Sequence, residues 1–82
     1  RAADAAGSLR APLPGTVLAV LVAVGQRVEE GQALVKIEAM KMEHTIRTAA
    51  AGIVEAIHYA PGDSVDADAL LVHIRPPDEA LT

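Results

Sequence analysis

Residues 15–38 read GTVLAVLVAVGQRVEEGQALVKIE, and residues 52–75 read GIVEAIHYAPGDSVDADALLVHIR. The second stretch repeats the first at an offset of 37 positions, and the two align without a gap. Nine of the 24 aligned pairs are identical: Gly15/Gly52, Val17/Val54, Ala19/Ala56, Ala23/Ala60, Gly25/Gly62, Val28/Val65, Leu34/Leu71, Val35/Val72 and Ile37/Ile74. Because one such unit cannot bury its apolar face alone, the repeat predicts two halves packed around a shared core.

Each copy contains two apolar runs separated by a glycine turn. The first runs are 16–23 and 53–60, and the second are 33–38 and 70–75. Apolar runs this short, bounded by Gly and Pro, are typical of strands rather than helices. The second runs alternate, so successive side chains should face the core and then water. The predicted inward set is Ala33, Val35, Ile37, Leu70, Val72 and Ile74, and the outward set is Lys36, Glu38, His73 and Arg75.

Composition limits the class of protein further. The chain has 82 residues, which is one domain, and its 51% apolar residues include a single aromatic, Tyr59. An Ala/Val/Leu/Ile interior suits an all-β fold of two closely packed sheets or a flattened barrel. The absence of cysteine excludes disulfides and thiolate metal sites. A net charge of −4 argues against a nucleic-acid partner, and the longest apolar run, 17–24, is too short to span a membrane.

The two ends of the chain differ in character from the repeat. Residues 1–8 are rich in alanine and are interpreted as the remnant of a linker. Pro76 and Pro77 should end the last strand, because proline cannot donate a hydrogen bond to the neighbouring strand. The predicted organisation is therefore a linker at 1–8, a domain at 9–75 and a C-terminal tail at 76–82.

The segment between the copies predicts a hairpin. Alternating residues over 43–48 indicate a strand, and pairing it with 33–38 places a tight turn at Met40-Lys41. That register sets Val35 opposite Ile46 on the inside, with Lys36 diagonal to Glu43 on the outside. It also sets Glu38 opposite Glu43. Met and Lys are unusual in a two-residue turn, and the high helix propensity of 38–43 leaves a short helix as the alternative.

Lys41 stands at the tip of this predicted hairpin. It is one of two lysines in the chain, and the only two methionines, Met40 and Met42, flank it. A lysine on a turn can equally be an ordinary solvated charge. No paired carboxylates, phosphate-binding loop or metal-ligand spacing occurs elsewhere, and His44, His58 and His73 are spread along the chain. The sequence therefore predicts neither catalytic residues nor a metal site.

The string Glu38-Ala39-Met40-Lys41-Met42 resembles the biotinylation motif of biotin carrier domains. The resemblance extends over about residues 9–75, including 11–15 before the first long strand and Gly52 after the hairpin. It implies a flattened barrel of two four-stranded antiparallel sheets related by a pseudo-two-fold axis, with the modified lysine on a hairpin. It also implies that biotin is attached covalently to Lys41, with Glu38, Ala39, Met40 and Met42 as the flanks that present it.

The resemblance further implies a carrier without a catalytic site of its own. Biotin protein ligase would modify Lys41, with Glu38 and Glu43 as candidates for docking the ligase. The biotin would then carry carboxyl groups between biotin carboxylase and carboxyltransferase domains or subunits of an acyl-CoA carboxylase. The continuation 43–47 is most similar to the methylcrotonyl-CoA type, and the gap-free repeat has no room for the inserted "thumb" of the bacterial acetyl-CoA carboxylase carrier. The isolated domain should be monomeric, and its location cytoplasmic, or the mitochondrial matrix in a eukaryote.

Three alternatives stay open. The lipoyl domain of 2-oxo acid dehydrogenase-type complexes has the same fold and a lysine on the same hairpin, although its lysine usually follows an acidic residue and precedes alanine. A biotin carrier of pyruvate carboxylase or of a biotin-dependent decarboxylase would share the motif. A plain β-barrel interaction module would leave Lys41 unmodified.

Overall fold

The chain folds into two four-stranded antiparallel sheets in a computed structural model that describes residues 7–76. The strands are β1 Ser8–Arg10, β2 Gly15–Val20, β3 Arg27–Val28, β4 Ala33–Ala39, β5 Met42–Arg47, β6 Gly52–Ile57, β7 Ser64–Val65 and β8 Leu70–Arg75. Their orders are β1-β8-β6-β3 and β5-β4-β2-β7. The predicted all-β fold class is confirmed. Across residues 7–76 no helix has the length and apolar character needed to cross a membrane.

The predicted ends of the chain fall largely beyond the described residues. Residues 1–6 of the predicted linker and 77–82 of the predicted tail are not among them. The first strand begins at Ser8, one residue before the predicted start of the domain at Leu9.

The repeat appears in the structure as an exchange of strands between the sheets. Strand β2 of the first copy, which also pairs with β4, pairs with β7 of the second copy, and β6 of the second copy, which also pairs with β8, pairs with β3 of the first. Matching backbone bonds join the copies: Gly25 N donates to Val54 O and Gly62 N donates to Val17 O, both at 2.8 Å. Each sheet thus needs a strand from the other copy, which explains why the unit occurs twice.

The core lies between the sheets and consists of aliphatic side chains in matched pairs. Its fully buried members include Val17, Val28, Leu34, Val35, Ile37, Val54, Leu71 and Val72. All eight belong to the identical pairs of the repeat. Burial of these aliphatic side chains is the main stabilising contribution, at roughly 1.5–3 kcal/mol for each large one.

The predicted alternation of the second apolar runs, 33–38 and 70–75, is wrong at one position in each copy. Leu34 and Leu71, which alternation would turn toward water, are 0% and 1% exposed. Both are skipped in the strand register, Leu34 between β4 and β5 and Leu71 between β1 and β8. A bulge of this kind adds a residue and bends the strand, so two consecutive side chains face the core. The predicted inward residues Ala33 and Leu70 are only half-buried as a result.

The repeat extends beyond the aligned stretches 15–38 and 52–75 to strand β1. Strand β1 occupies beside β8 the place that β5 occupies beside β4. Arg10 and Arg47, also 37 positions apart, both reach a carbonyl in a loop: Nη1 of Arg10 donates to Asp68 O at 3.1 Å, and Nη1 of Arg47 donates to Gly31 O at 3.0 Å. Strand β1 comes from the N-terminal end of the chain, so no hairpin joins it to β8. Its counterpart β5 directly follows β4, and a hairpin joins these two strands.

Two leucines are exposed, and their replacement tests whether the fold requires an apolar side chain at these surface positions. Leu18 and Leu21 are 42% and 45% exposed, and the equivalent residues of the second copy are Glu55 and His58. Since the same scaffold accepts polar residues there, we expect Leu18→Glu and Leu21→His to change the free energy of unfolding by less than about 0.5 kcal/mol each. Urea unfolding is the measurement, with buried Val17→Glu as the disruptive control. A loss above that limit for either leucine would show that it packs on something essential.

Candidate functional site

The predicted hairpin is present, with the predicted register. Strands β4 and β5 pair with Val35 opposite Ile46, Glu38 opposite Glu43 and Ala39 opposite Met42. Only Met40 and Lys41 lie between the strands, so the short helix that local propensity allowed is excluded. The alternation of β5 is also confirmed, because Ile46 is buried whereas Glu43 and Thr45 are exposed.

The turn at the tip has an unusual backbone. Met40 and Lys41 have φ values of 54° and 64°. Positive φ at both central residues is the requirement of a type I′ turn, whose twist matches the strands and which normally uses Asn-Gly. For residues with a Cβ atom this left-handed conformation costs about 1–2 kcal/mol each. Such local strain is common at functional sites, where the surrounding structure maintains it.

Lys41 is exposed at the tip of the turn. Within residues 7–76, its ammonium group has neither a hydrogen bond nor an ion pair. The other lysine, Lys36, differs because it lies inside β4 and its Nζ is 3.9 Å from Glu43 Oε1. The tip of the hairpin therefore presents one primary amine that is unpaired within the described residues.

The base of the hairpin is built from small residues packed closely. Ala39, the last residue of β4, is buried, and it lies beside Gly15 at the start of β2. A Cβ atom on Gly15 would overlap the carbonyl oxygen of Glu38 and lie 3.0 Å from Ala39 Cβ. Glycine and alanine thus let β2 approach β4 where the hairpin leaves the sheet. Gly52 makes the same approach to Arg75 in the other sheet.

Carboxylates line the sides of the hairpin. Glu38 and Glu43 are exposed and directly opposite each other, an arrangement that repels. The Lys36–Glu43 ion pair offsets part of this repulsion. Lys36 is paired with Glu43 and lies farther from the turn than Lys41 does. The hairpin therefore combines an acidic side with an amine at its tip.

The five residues predicted for the site lie together on this hairpin. Four of them, Glu38, Met40, Lys41 and Met42, are exposed, and Ala39 is buried beneath them. Their roles stay predictions at this point, although Ala39 has a clear structural one. Sequence reasoning noted Gly15 only as part of the motif's frame, and its close approach to Glu38 is visible only when the strands are paired. The histidines lie apart, in β5, after β6 and in β8.

His44 has a buried nitrogen without a partner. It lies opposite Ile37, on the inward face of β5, and among the described residues nothing forms a hydrogen bond with its Nε2. An unpaired buried polar atom costs about 1–3 kcal/mol. We therefore expect His44→Leu to raise the free energy of unfolding by about 1 kcal/mol in urea denaturation at neutral pH.

The control for this prediction is His58→Leu. His58 is exposed, so that variant should leave the unfolding free energy within about 0.5 kcal/mol of the parent chain. A loss of stability in His44→Leu would contradict the prediction and show that the imidazole makes a favourable contact that leucine cannot.

A known protein family and several known proteins are similar to this chain in sequence. The family described as "Biotin-requiring enzyme", a biotin and lipoyl domain family, matches residues 7–74. The chain is 50% identical over 72 residues to a biotin carboxyl carrier protein of Streptococcus mutans, covering 88% of this chain and 55% of that protein. It is 47% identical over 60 residues to a mitochondrial methylcrotonoyl-CoA carboxylase subunit alpha of Dictyostelium discoideum, covering 73% of this chain and 9% of that subunit. The chain thus spans about half of the first relative and a tenth or less of the second.

A solved structure shares the fold. The lipoyl domain of the 2-oxoglutarate dehydrogenase complex from Azotobacter vinelandii superposes with a TM-score of 0.77 at 26% identity. The match covers 88% of this chain and 99% of that domain. The fold is therefore shared with a lipoyl domain, so the fold alone does not distinguish a biotin carrier from a lipoyl carrier.

Proposed function

This chain belongs to the biotin-requiring enzyme family of biotin and lipoyl domains, and on that premise we propose that it is a biotin carboxyl carrier domain whose Lys41 holds the cofactor. The observation that supports this most directly is the exposed amine of Lys41, unpaired within the described residues, at the tip of a strained two-residue turn. The methionines on both sides of Lys41 favour biotin over lipoate, since the lipoyl motif has an acidic residue before the lysine.

The geometry fits covalent attachment of the cofactor. Lys41 Nζ attacks an activated carboxyl carbon, the C–N bond of an amide forms, and the activating group leaves with its electron pair. No described side chain forms a hydrogen bond or an ion pair with the Lys41 ammonium group, so the amine proton must pass to a base on the modifying enzyme rather than to Glu38 or Glu43. Their acidic surface instead supplies a docking contact for the ligase.

The rest of the hairpin positions the amine. The I′ turn restricts both central residues, and the packing of Ala39 on Gly15 anchors the end of β4 to β2. A fixed hairpin base allows two different enzymes to engage the same tip in the same orientation. Holding the tip on strands rather than on a long loop lowers the entropy cost of each encounter.

As a carrier, the domain acts between other proteins. Biotin attached to Lys41 supplies the site to which a carboxyl group is bound at a biotin carboxylase and from which it is delivered at a carboxyltransferase. The chain contributes the Lys41 side chain, which holds the cofactor through an amide bond, and no catalytic group of its own. The similarity to the methylcrotonoyl-CoA carboxylase subunit supports an acyl-CoA carboxylase as the parent enzyme.

A modification assay tests the proposal. The full chain is incubated with ATP and Mg²⁺, either with biotin and biotin protein ligase or with lipoate and lipoate protein ligase. Intact mass and peptide mapping then locate the product. We expect one biotinyl group on Lys41 and no lipoylation. Lipoylation alone would identify a lipoyl carrier, and no modification in either arm would favour a plain interaction module.

A further inference from the structure

The two methionines beside Lys41 are exposed to an unusual degree. Met40 is 78% exposed and Met42 is 63% exposed, the highest values among the large apolar residues of the described part. Methionine is normally a buried residue that fills gaps in a core. Here the only two methionines of the chain are both at its surface, one on each side of the same lysine.

The fold prevents either side chain from withdrawing. Met40 is a central residue of a two-residue turn, with φ of 54°. Met42 pairs with Ala39, whose Cβ already lies close to Gly15 at the base of the hairpin. Burying either methionine would require the turn or this packing to open.

No other side chain in the protein competes for a mild oxidant. The chain contains no cysteine and no tryptophan, so the sulfurs of Met40 and Met42 are its most oxidisable atoms. In the reaction with a hydroperoxide, a sulfur lone pair attacks the terminal oxygen, an S–O bond forms, the O–O bond breaks and the proton of the terminal oxygen passes to the leaving oxygen. The sulfur loses two electrons, the peroxide is reduced to an alcohol or water, and the thioether becomes a polar, chiral sulfoxide.

We propose that Met40 and Met42 form a reversible oxidation site that controls whether Lys41 is accepted for modification. An enzyme that acts on Lys41 must cover the adjacent side chains, and covering a sulfoxide removes a strong hydrogen-bond acceptor from water. The oxidised hairpin is then a poorer substrate, and reduction by methionine sulfoxide reductases restores it. The selectivity of oxidation does not depend on the proposed function, whereas its effect on Lys41 rests on it.

The first measurement follows oxidation itself. The full chain is treated with graded hydrogen peroxide, and peptide mass spectrometry measures oxygen addition at Met40 and at Met42. We expect both rates to lie within about threefold of those in the urea-unfolded chain, because neither sulfur is shielded. Protection of either methionine by more than tenfold would overturn the proposal for that residue.

The second measurement is the rate of biotin incorporation by biotin protein ligase before and after peroxide. We expect kcat/KM to fall about tenfold, with an unchanged circular dichroism spectrum, and to recover after treatment with sulfoxide reductases A and B. The matched control is Met40→Leu/Met42→Leu, whose rate should be the same before and after peroxide. Equal rates for oxidised and untreated parent chain would overturn the oxidation proposal and leave the proposed function standing. Failure of the untreated chain to accept biotin would instead overturn the proposed function, and the control of Lys41 with it.

Discussion

Lys41→Arg is expected to lose all incorporation of biotin while it keeps the fold. The guanidinium group stays protonated in proteins and does not act as a nucleophile toward an activated carboxyl carbon. Because Lys41 is exposed and has no partner in the described part of the chain, its replacement should change the free energy of unfolding by less than about 0.5 kcal/mol. Intact mass after incubation with ligase, biotin and ATP measures the first effect, and urea unfolding measures the second.

The matched control is Lys36→Arg. Lys36 is the other lysine of the chain and lies only five positions away, but its Nζ is within 3.9 Å of Glu43 and its side chain extends from within β4. This variant should accept biotin at the rate of the parent chain. Residual biotin on Lys41→Arg, located at Lys36 by peptide mapping, would contradict the assignment of Lys41 as the single acceptor.

The second large effect is expected from Gly15→Ala. The new Cβ atom would overlap the carbonyl oxygen of Glu38, a backbone atom that cannot move aside without displacing β4. Overpacking of this kind costs about 1–3 kcal/mol, a large share of the few kcal/mol that stabilise a small domain. Because the displaced residues lead directly to the turn, we also expect slower modification of Lys41, measured at a temperature at which the variant is still folded.

The pseudo-two-fold symmetry supplies the control for this experiment. In Gly52→Ala the new Cβ would overlap the carbonyl oxygen of Arg75 and lie 2.5 Å from Ile74 Cγ2, in the sheet that has no hairpin at this point. Its loss of stability in urea unfolding should match that of Gly15→Ala, while Lys41 of the folded variant is modified by the ligase at the normal rate. If both variants slowed modification equally, the packing of β2 on β4 would have no specific influence on the hairpin.

The register of the hairpin could be predicted because it follows from local alternation. Val35 and Ile46 must both face the core, so they are placed opposite each other. Pairing the residues between them, 36–39 with 42–45, leaves two residues for the turn. The bulge at Leu34 could not be predicted in this way. Strict alternation there is overridden because a strand that wraps around a small core must bend, and the extra residue allows it.

The repeat is longer than the two aligned stretches, because its additional segment lies at a different place in the chain order. Ser8, Leu9, Arg10 and Ala11 correspond to Thr45, Ile46, Arg47 and Thr48 at the same offset of 37, but they precede the first copy instead of following the second. Continuing the offset through 8–11 would have revealed the match. The two arginine contacts to loop carbonyls then show that the similarity is structural.

By itself, the amino-acid sequence determined the all-β class, the two equivalent halves and the position of a lone lysine at a hairpin tip. These properties depend on the spacing of residues along one chain, since side-chain direction alternates with the backbone of each strand. Only the tertiary structure decided the exchange of β3 and β7 between the sheets, the close approach at Gly15 and the unpaired nitrogen of His44. Those features arise where residues distant in the chain meet, and their distances are set by packing both sheets around one core at once.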